Sequence, residues 1–389
     1  MQVNRIQSFQ QIWNLLRRSP ITTRTELVRD SGLSKATVSE AVSLMIQHGV
    51  VAEVGKRNPG RGRRQVVLEL QAGTRMVIGA QFTETGCHAV LADLTASPVA
   101  FADRTVTNND PASLIQALGE CISELRGKTE SPILGLGLGV PGLVSADGRK
   151  VVLSVPFGWE DVPICDMIER ELDISVVTIN RAKSAALGEY WQGSTEKPSG
   201  REHLAHVHVG AGIVAGFVYG GQLLMGHGGA AGELGHVTMV PDGPTCACGN
   251  QGCLHMFASE SAILRDVQIR RQRQPGGTVE IERFEDIQAS LERGDAITTE
   301  VVQDAGKWVG IAIANVINVM NPSTVTIAGS VADLGDVFMD RVRQEVGRRA
   351  MWEVMQGVTI AKSVLGDNGG TIGGAALFID SLGIERVLA

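Results

Sequence analysis

Gly232–Ser259 reads GELGHVTMVPDGPTCACGNQGCLHMFAS and holds half of the six cysteines, Cys246, Cys248 and Cys253, with His236 ten residues before the first. Thiolates and an imidazole suit a borderline-soft cation such as Zn²⁺, which takes four such ligands tetrahedrally. Gly243, Pro244, Gly249 and Gly252 let a short loop turn tightly enough to aim all four inward. Three cysteines within eight residues of a polar, glycine-rich loop read as ligands rather than as small buried hydrophobes. The stretch predicts a structural zinc site of His236, Cys246, Cys248 and Cys253.

Outward from this loop, 389 residues exceed one average domain and predict two or three. No apolar run reaches membrane-spanning length and no signal peptide is recognisable, so a soluble cytoplasmic protein is expected. Cys87, Cys121 and Cys165 are scattered singly, as reduced thiols are. The net charge of −7 is unevenly spread: residues 1–75 carry 12 Lys+Arg against 5 Asp+Glu, and the remainder 23 against 37. A basic N-terminal module on an acidic body points to a polyanion partner for the first part alone.

Within that module, residues 4–18 place Ile6, Phe9, Ile12, Trp13, Leu15 and Leu16 at helical spacing. Thr25–Asp30 predicts a short helix, Ser31-Gly32-Leu33 a turn, and Ser34 the cap of a second helix running to about His48. Leu27, Leu33, Val38, Val42 and Met45 are the expected core, which leaves Ser34, Lys35, Ala36, Thr37 and Ser39 facing outward, with Glu40 beside them. This is a helix-turn-helix. Two β-rich runs then flank PGRGRR, making a wing whose Arg61, Arg63 and Arg64 suit an A·T-rich minor groove. The predicted partner is a double-stranded DNA operator, palindromic if the chain is a homodimer or homotetramer.

From Met76 the pattern alternates hairpin-like strands with helices, and HLAHVHVGAGIVAGFVYGGQLL (203–224) repeats the opening theme. His236-x9-Cys246-x-Cys248-x4-Cys253, led in by Glu233, Gly235 and His236, resembles the zinc motif of the ROK family of repressors, open reading frames and kinases. With the N-terminal module the likeness covers essentially the whole chain. It implies a winged helix-turn-helix (α+β) at 1–70, a hinge at 71–75, and a two-lobed α/β actin-like ATPase, ROK sugar-kinase-like, body. The first lobe is expected at 76–183 plus 370–389 and the second at 184–369, with the zinc loop at 236–253. The resemblance also implies effector contacts at Gly142, Asn180, Glu233 and His236, in a cleft between lobes.

The departures carry as much weight. ROK kinases place an Asp base directly after the Asn; here Arg181 follows Asn180, and a guanidinium cannot take that proton. Their Asp-x-Gly-Gly-Thr phosphate loop corresponds to Ala80-Gln81-Phe82-Thr83-Glu84-Thr85, where Phe82 and Glu84 are expected to crowd and repel a triphosphate. Gly329-Ser330 stands where the kinases approach adenine. His255 replaces a further sugar-binding Glu. The expected protein is therefore a non-enzymatic, sugar-controlled regulator, a repressor of carbohydrate-use genes. Arg181 and His255 admit two readings: an anionic effector, such as a sugar phosphate or sugar acid, or a pocket with Arg181 folded into a salt bridge. The alternatives are a ROK kinase with an appended DNA-binding module, and a regulator answering to a protein partner.

Overall fold

The computed structural model describes residues 2–57, 64–193, 203–273 and 281–388. The chain divides into two compact units, Met1–Arg181 with Thr371–Ala389, and Ala182–Gly370.

The first unit opens with α1 (Gln2–Arg18), β1 (Ile21–Thr23), α2 (Arg24–Ser31) and α3 (Lys35–Gln47). Thr23 Oγ1 accepts from the Glu26 amide at 3.2 Å and Ser34 Oγ from the Thr37 amide at 3.1 Å, so each helix begins where a hydroxyl satisfies an orphan donor. Gly32, at φ 68°, closes α2 in the left-handed region that other residues avoid. Phe9, Ile12, Trp13, Leu16, Leu27, Val38, Val42 and Met45 form the buried core. Leu33, expected there, is only half-buried, because it sits on the turn rather than on either helix face. β2 (Val51–Arg57) and β3 (Gln65–Leu70) pair antiparallel in a sheet of order β1-β3-β2, the wing. Arg61 and Arg63 lie outside the described residues; Arg64 is exposed. The stretch expected to be a hinge, Gln71–Arg75, holds a 3₁₀ turn tied on three sides. Gln71 N donates to Val50 O at 2.8 Å, Leu94 N to Ala72 O at 3.2 Å, and Ser131 Oγ to Gly73 O at 2.8 Å.

Next come β4 (Met76–Thr83), β5 (Gly86–Asp93), β6 (Pro98–Thr105), α4 (Pro111–Arg126), β7 (Ile133–Val140), β8 (Leu143–Val144), β9 (Val151–Ser154), β10 (Trp159–Val162), α5 (Ile164–Leu172) and β11 (Val176–Asn180). The main sheet has the order β11-β7-β4-β5-β6: an antiparallel meander, then β7 and β11 added in parallel. α4 starts at the Asp110 cap, with Pro111 supplying a preset φ, and buries Leu114, Ile115, Leu118, Cys121, Ile122 and Leu125 on the sheet.

α6 (Arg181–Gln192) leads into the second unit: β12 (His203–Val209), β13 (Ile213–Tyr219), β14 (Gln222–Leu223), α7 (His255–Ala258), α8 (Glu260–Arg273), α9 (Asp286–Glu292), α10 (Ala296–Met320), β15 (Thr324–Ala328), α11 (Asp336–Arg349), α12 (Trp352–Met355) and β16 (Thr359–Lys362). Its sheet, β14-β13-β12-β15-β16, pairs β12 with β13 antiparallel and adds β15 and β16 in parallel, the same plan as in the first unit. α9 ends at Glu292 and α10 begins at Ala296. Gly294, at φ 74°, turns the chain, and Asp295 then caps α10 by accepting from the Thr298 amide at 2.7 Å.

α13 (Gly369–Ser381) and α14 (Ile384–Leu388) return to the first unit. A Cβ on Gly79 would stand 1.9 Å from Thr371 O, and one on Gly137 1.8 Å from Gly374 O. The backbone of α13 therefore lies directly on β4 and β7, a contact only glycine allows.

Candidate metal centre, effector residues and DNA-reading surface

In the second unit, two isolated antiparallel bridges, Thr238 with Cys253 and Thr245 with Gln251, fold residues 236–253 back on themselves. Cys246 N donates to Asn250 O at 2.8 Å and Gly252 N to Pro244 O at 2.9 Å. A Cβ on Gly252, at φ 69°, would fall 1.7 Å from Val240 O, so this turn closes only around glycine. The folding brings one ligand atom each from His236, Cys246, Cys248 and Cys253 within 4.8 Å of one another. His236 Nδ1 lies 3.7 Å from Cys246 Sγ, and Cys248 Sγ 3.7 Å from Cys253 Sγ. Tetrahedral Zn–S bonds of about 2.3 Å put ligand atoms about 3.8 Å apart, whereas a disulfide needs about 2.05 Å. The four residues fit a tetrahedral metal. Asn250 Nδ2 points at Cys253 Sγ from 3.4 Å, the kind of outer hydrogen bond that holds a thiolate ligand in place.

Of the other residues expected at the effector, Glu233 is exposed, and His236 and His255 have their rings 6.3 Å apart and 22° from parallel. Burial, reinforced by His236, lowers the His255 pKa. Lys183, on α6, belongs to no motif named above. It is 2% exposed, its ammonium donates to Gly229 O, and burial lowers its pKa against the pull of Glu233. An apolar-looking run, RAKSAALGEYWQ, conceals it. At the Gly210 and Gly329-Ser330 turns of this unit the space is taken up: Ser330 Oγ donates to Glu260, and a Cβ on Gly210 would meet His208 Nε2 at 3.1 Å.

In the first unit, Asn180 ends β11 and its Nδ2 donates to Gly142 O at 2.7 Å. Gly142 takes φ 111°, and a Cβ there would strike Leu153 O at 2.3 Å. Arg181 Nη1 donates to Glu84 Oε2 at 3.2 Å, with side-chain exposures of 27% and 44%. The two departures, at the base position and in the phosphate loop, thus engage each other across 97 residues of sequence. Phe82 corrects the expectation of crowding: it is fully buried, edge-on to Trp159 with centroids 6.5 Å apart, because alternation along β4 turns it into the core. Only Glu84 of that pair faces outward. Of the two readings offered for Arg181, the geometry matches the one in which it is folded into a salt bridge.

On the winged module, Ser34, Lys35, Ala36 and Ser39 are exposed and Thr37 is half-buried. Ser34 Oγ is engaged by the α3 cap, and Arg5 reaches Glu40 at 2.5 Å, offsetting an acid on the reading face. Ser43 and Gln47, one and two turns beyond Ser39, extend that exposed face; helical spacing from Ser39 already marks them.

The family model for ROK matches residues 79–381. The chain belongs to the ROK family. The xylose repressor of Caldicellulosiruptor bescii is 29% identical over 373 residues, covering 93% of this chain and 92% of that one. A glucokinase of Halalkalibacterium halodurans is 32% identical over 258 residues, covering 64% of this chain and 77% of the kinase. A solved ROK-family transcriptional regulator, described as a homologue of the E. coli MLC protein, superposes with a TM-score of 0.82 at 23% identity over the full length of both chains. That likeness establishes the fold, a winged helix-turn-helix followed by the two-lobed ROK body. No helix among the described residues of this ROK chain is long and apolar enough to cross a membrane.

Proposed function

We propose that this ROK chain is a DNA-binding repressor of carbohydrate-use genes, released from its operator by a sugar and devoid of kinase activity. The observation that carries the reading is Arg181, a permanently protonated group at the position of the catalytic base, held by Glu84 where a phosphate cradle would be needed. The repressor relative aligns along 93% of the chain, whereas the glucokinase match covers 64%. A neutral sugar is favoured over an anionic one because Arg181 already has the Glu84 carboxylate beside it. Xylose is the first candidate, from the relative's name. Gly142, Asn180, Glu233, His236 and His255 are the hydroxyl-binding candidates, with Arg181 paired to Glu84. His236, Cys246, Cys248 and Cys253 would hold Zn²⁺; four protein ligands leave no open position, so the ion's role is to cross-link the loop.

The reading head comprises Lys35, Ala36, Thr37 and Ser39 in a major groove, with Ser34 capping the helix and Arg61, Arg63 and Arg64 from the wing in a minor groove. A homodimer would set two heads on a palindrome. Operator selected from random duplexes, then titrated with xylose, glucose and their phosphates, tests the reading. Release by a neutral sugar with no ADP formed from ATP is the expected result. Sugar-dependent ADP production would overturn it in favour of a kinase, and release by phosphorylated sugars alone would restore the anionic effector. Replacing Lys35 by Ala should weaken binding at all sequences and flatten the salt dependence, the slope of log K against log salt falling by about 0.9. An unchanged slope would remove Lys35 from the interface.

A further inference from the structure

Among the buried residues of α6 stands a cation, Lys183, 2% exposed. A Cβ on Gly216 would stand 2.5 Å from Ala186 Cβ and 3.2 Å from Lys183 Cα, so the helix lies directly on β13. Taking an ammonium out of water is costly unless its donors are met, so its partners indicate what it is for. The Lys183 ammonium donates to Gly229 O. Burial lowers its pKa, and the Glu233 carboxylate works against that shift.

Both partners belong to the segment that runs from β14 to His236. The two ends of this segment are fastened to β13. Leu224 N donates to Phe217 O at 2.8 Å, and Ala215 N to Gly232 O at 2.7 Å. A Cβ on Gly232 would fall 1.9 Å from Ala215 O, which presses the second end onto the strand. Between these ends Gly226, Gly228 and Gly229 take φ of 74°, 72° and 79°. Backbone of this kind gains its turn from glycine and is not stiffened by it. Ala231 N donates to Met225 O at 3.1 Å and Gly229 N to Gly226 O at 3.5 Å, bonds that close the turn on itself. Residues 226–228 are exposed, whereas Gly229 is buried where the lysine meets it. Lys183 thus ties the middle of the turn to the helix, and Glu233 follows four residues later, exposed.

We infer that Lys183 is a positioning residue for the effector: its ammonium tethers the Gly226–Ala230 turn and presents the Glu233 carboxylate to a sugar hydroxyl. The tether stands on the geometry alone; its consequence rests on Glu233 binding the sugar, as proposed above. A carboxylate held in one orientation by a nearby cation makes a stronger acceptor than a wandering one. Lys183 is itself too deeply covered to meet the sugar, so it acts through Glu233.

Two measurements on the full chain separate these layers. Lys183→Met keeps the apolar stem and removes the charge, a replacement that buried sites commonly tolerate. Hydrogen exchange needs no sugar: in this variant the Ala231 amide should lose protection by about tenfold or more, while the amides of β12 keep theirs. Unchanged protection at Ala231 would overturn the tether. Titration with xylose and glucose reads the consequence in wild type, Lys183→Met, Glu233→Gln and the double variant. Each single change should weaken binding by about tenfold or more, and the double variant should bind no more weakly than Glu233→Gln alone. Full affinity in Lys183→Met, or losses that multiply in the double variant, would overturn the positioning role. If Lys183→Met melts early, Lys183→Gln, a second uncharged replacement, repeats the cycle with the same coupling expected. A wild-type chain that binds neither sugar overturns the sugar reading and the role through Glu233 with it, and the exchange result then decides the tether alone.

Discussion

Cys253→Ser is expected to strip the second unit of its metal and to loosen the loop that carries Glu233 and His236. Cys253 is fully buried and bridges to Thr238, so its sulfur is both a ligand and the inner strut of the loop. Structural zinc contributes about 10–16 kcal/mol in isolated fingers, where folding and binding are one event. Here much of the surrounding fold stands on its own core, so only a part of that free energy is at stake. A third of it would still lower the melting temperature of a unit this size by roughly 7–20 °C. Metal analysis, melting and sugar titration check the result. Cys165→Ser is the control, because that buried thiol lies in the other unit beside Thr178 Oγ1, at 3.2 Å. A Cys253→Ser protein that keeps its metal, melting temperature and sugar affinity would remove the zinc centre from this account.

Trp13→Ala should abolish operator binding and leave metal content untouched. Trp13 is fully buried on α1, with Ile12 and Leu16 beside it, in the core shared by the helices of the reading module. Removing a buried Trp side chain costs about 3–5 kcal/mol, which shifts a folding equilibrium by roughly 10²–10⁴-fold. A module with so small a core has little margin to absorb that loss. Zinc content and the melting of the second unit should stay as in the wild type, because their residues belong to the other compact unit. Retention of wild-type operator affinity by Trp13→Ala would mean that DNA is read elsewhere on the chain.

The His/Cys cluster was legible because chelation imposes short-range spacing: a loop of eighteen residues must present four atoms to one point, and glycines mark where it turns. The helix-turn-helix was legible because caps, a turn glycine and a 3.6-residue period are local properties of the chain. Leu33 and the start of α10 were less so, since one half-turn of burial and one capping Asp decide them. Phe82 was misplaced for the same reason in reverse. Motif alignment put it in a ligand loop, while strand alternation sends it into the core.

From the sequence by itself came the family, an arginine at 181 after Asn180, the four residues of the His/Cys cluster and the outward face of α3, because each depends on residue identity at short or motif-defined spacing. Only the tertiary structure decided that Glu84 meets Arg181, that burial lowers the His255 pKa, that Lys183 lies buried against the Gly229 carbonyl, and that Gln10 and Arg17 grip the far end of the chain. Those outcomes depend on which groups are brought close and which are taken out of water, and pairs separated by 97 or 363 residues leave no periodic trace in the sequence.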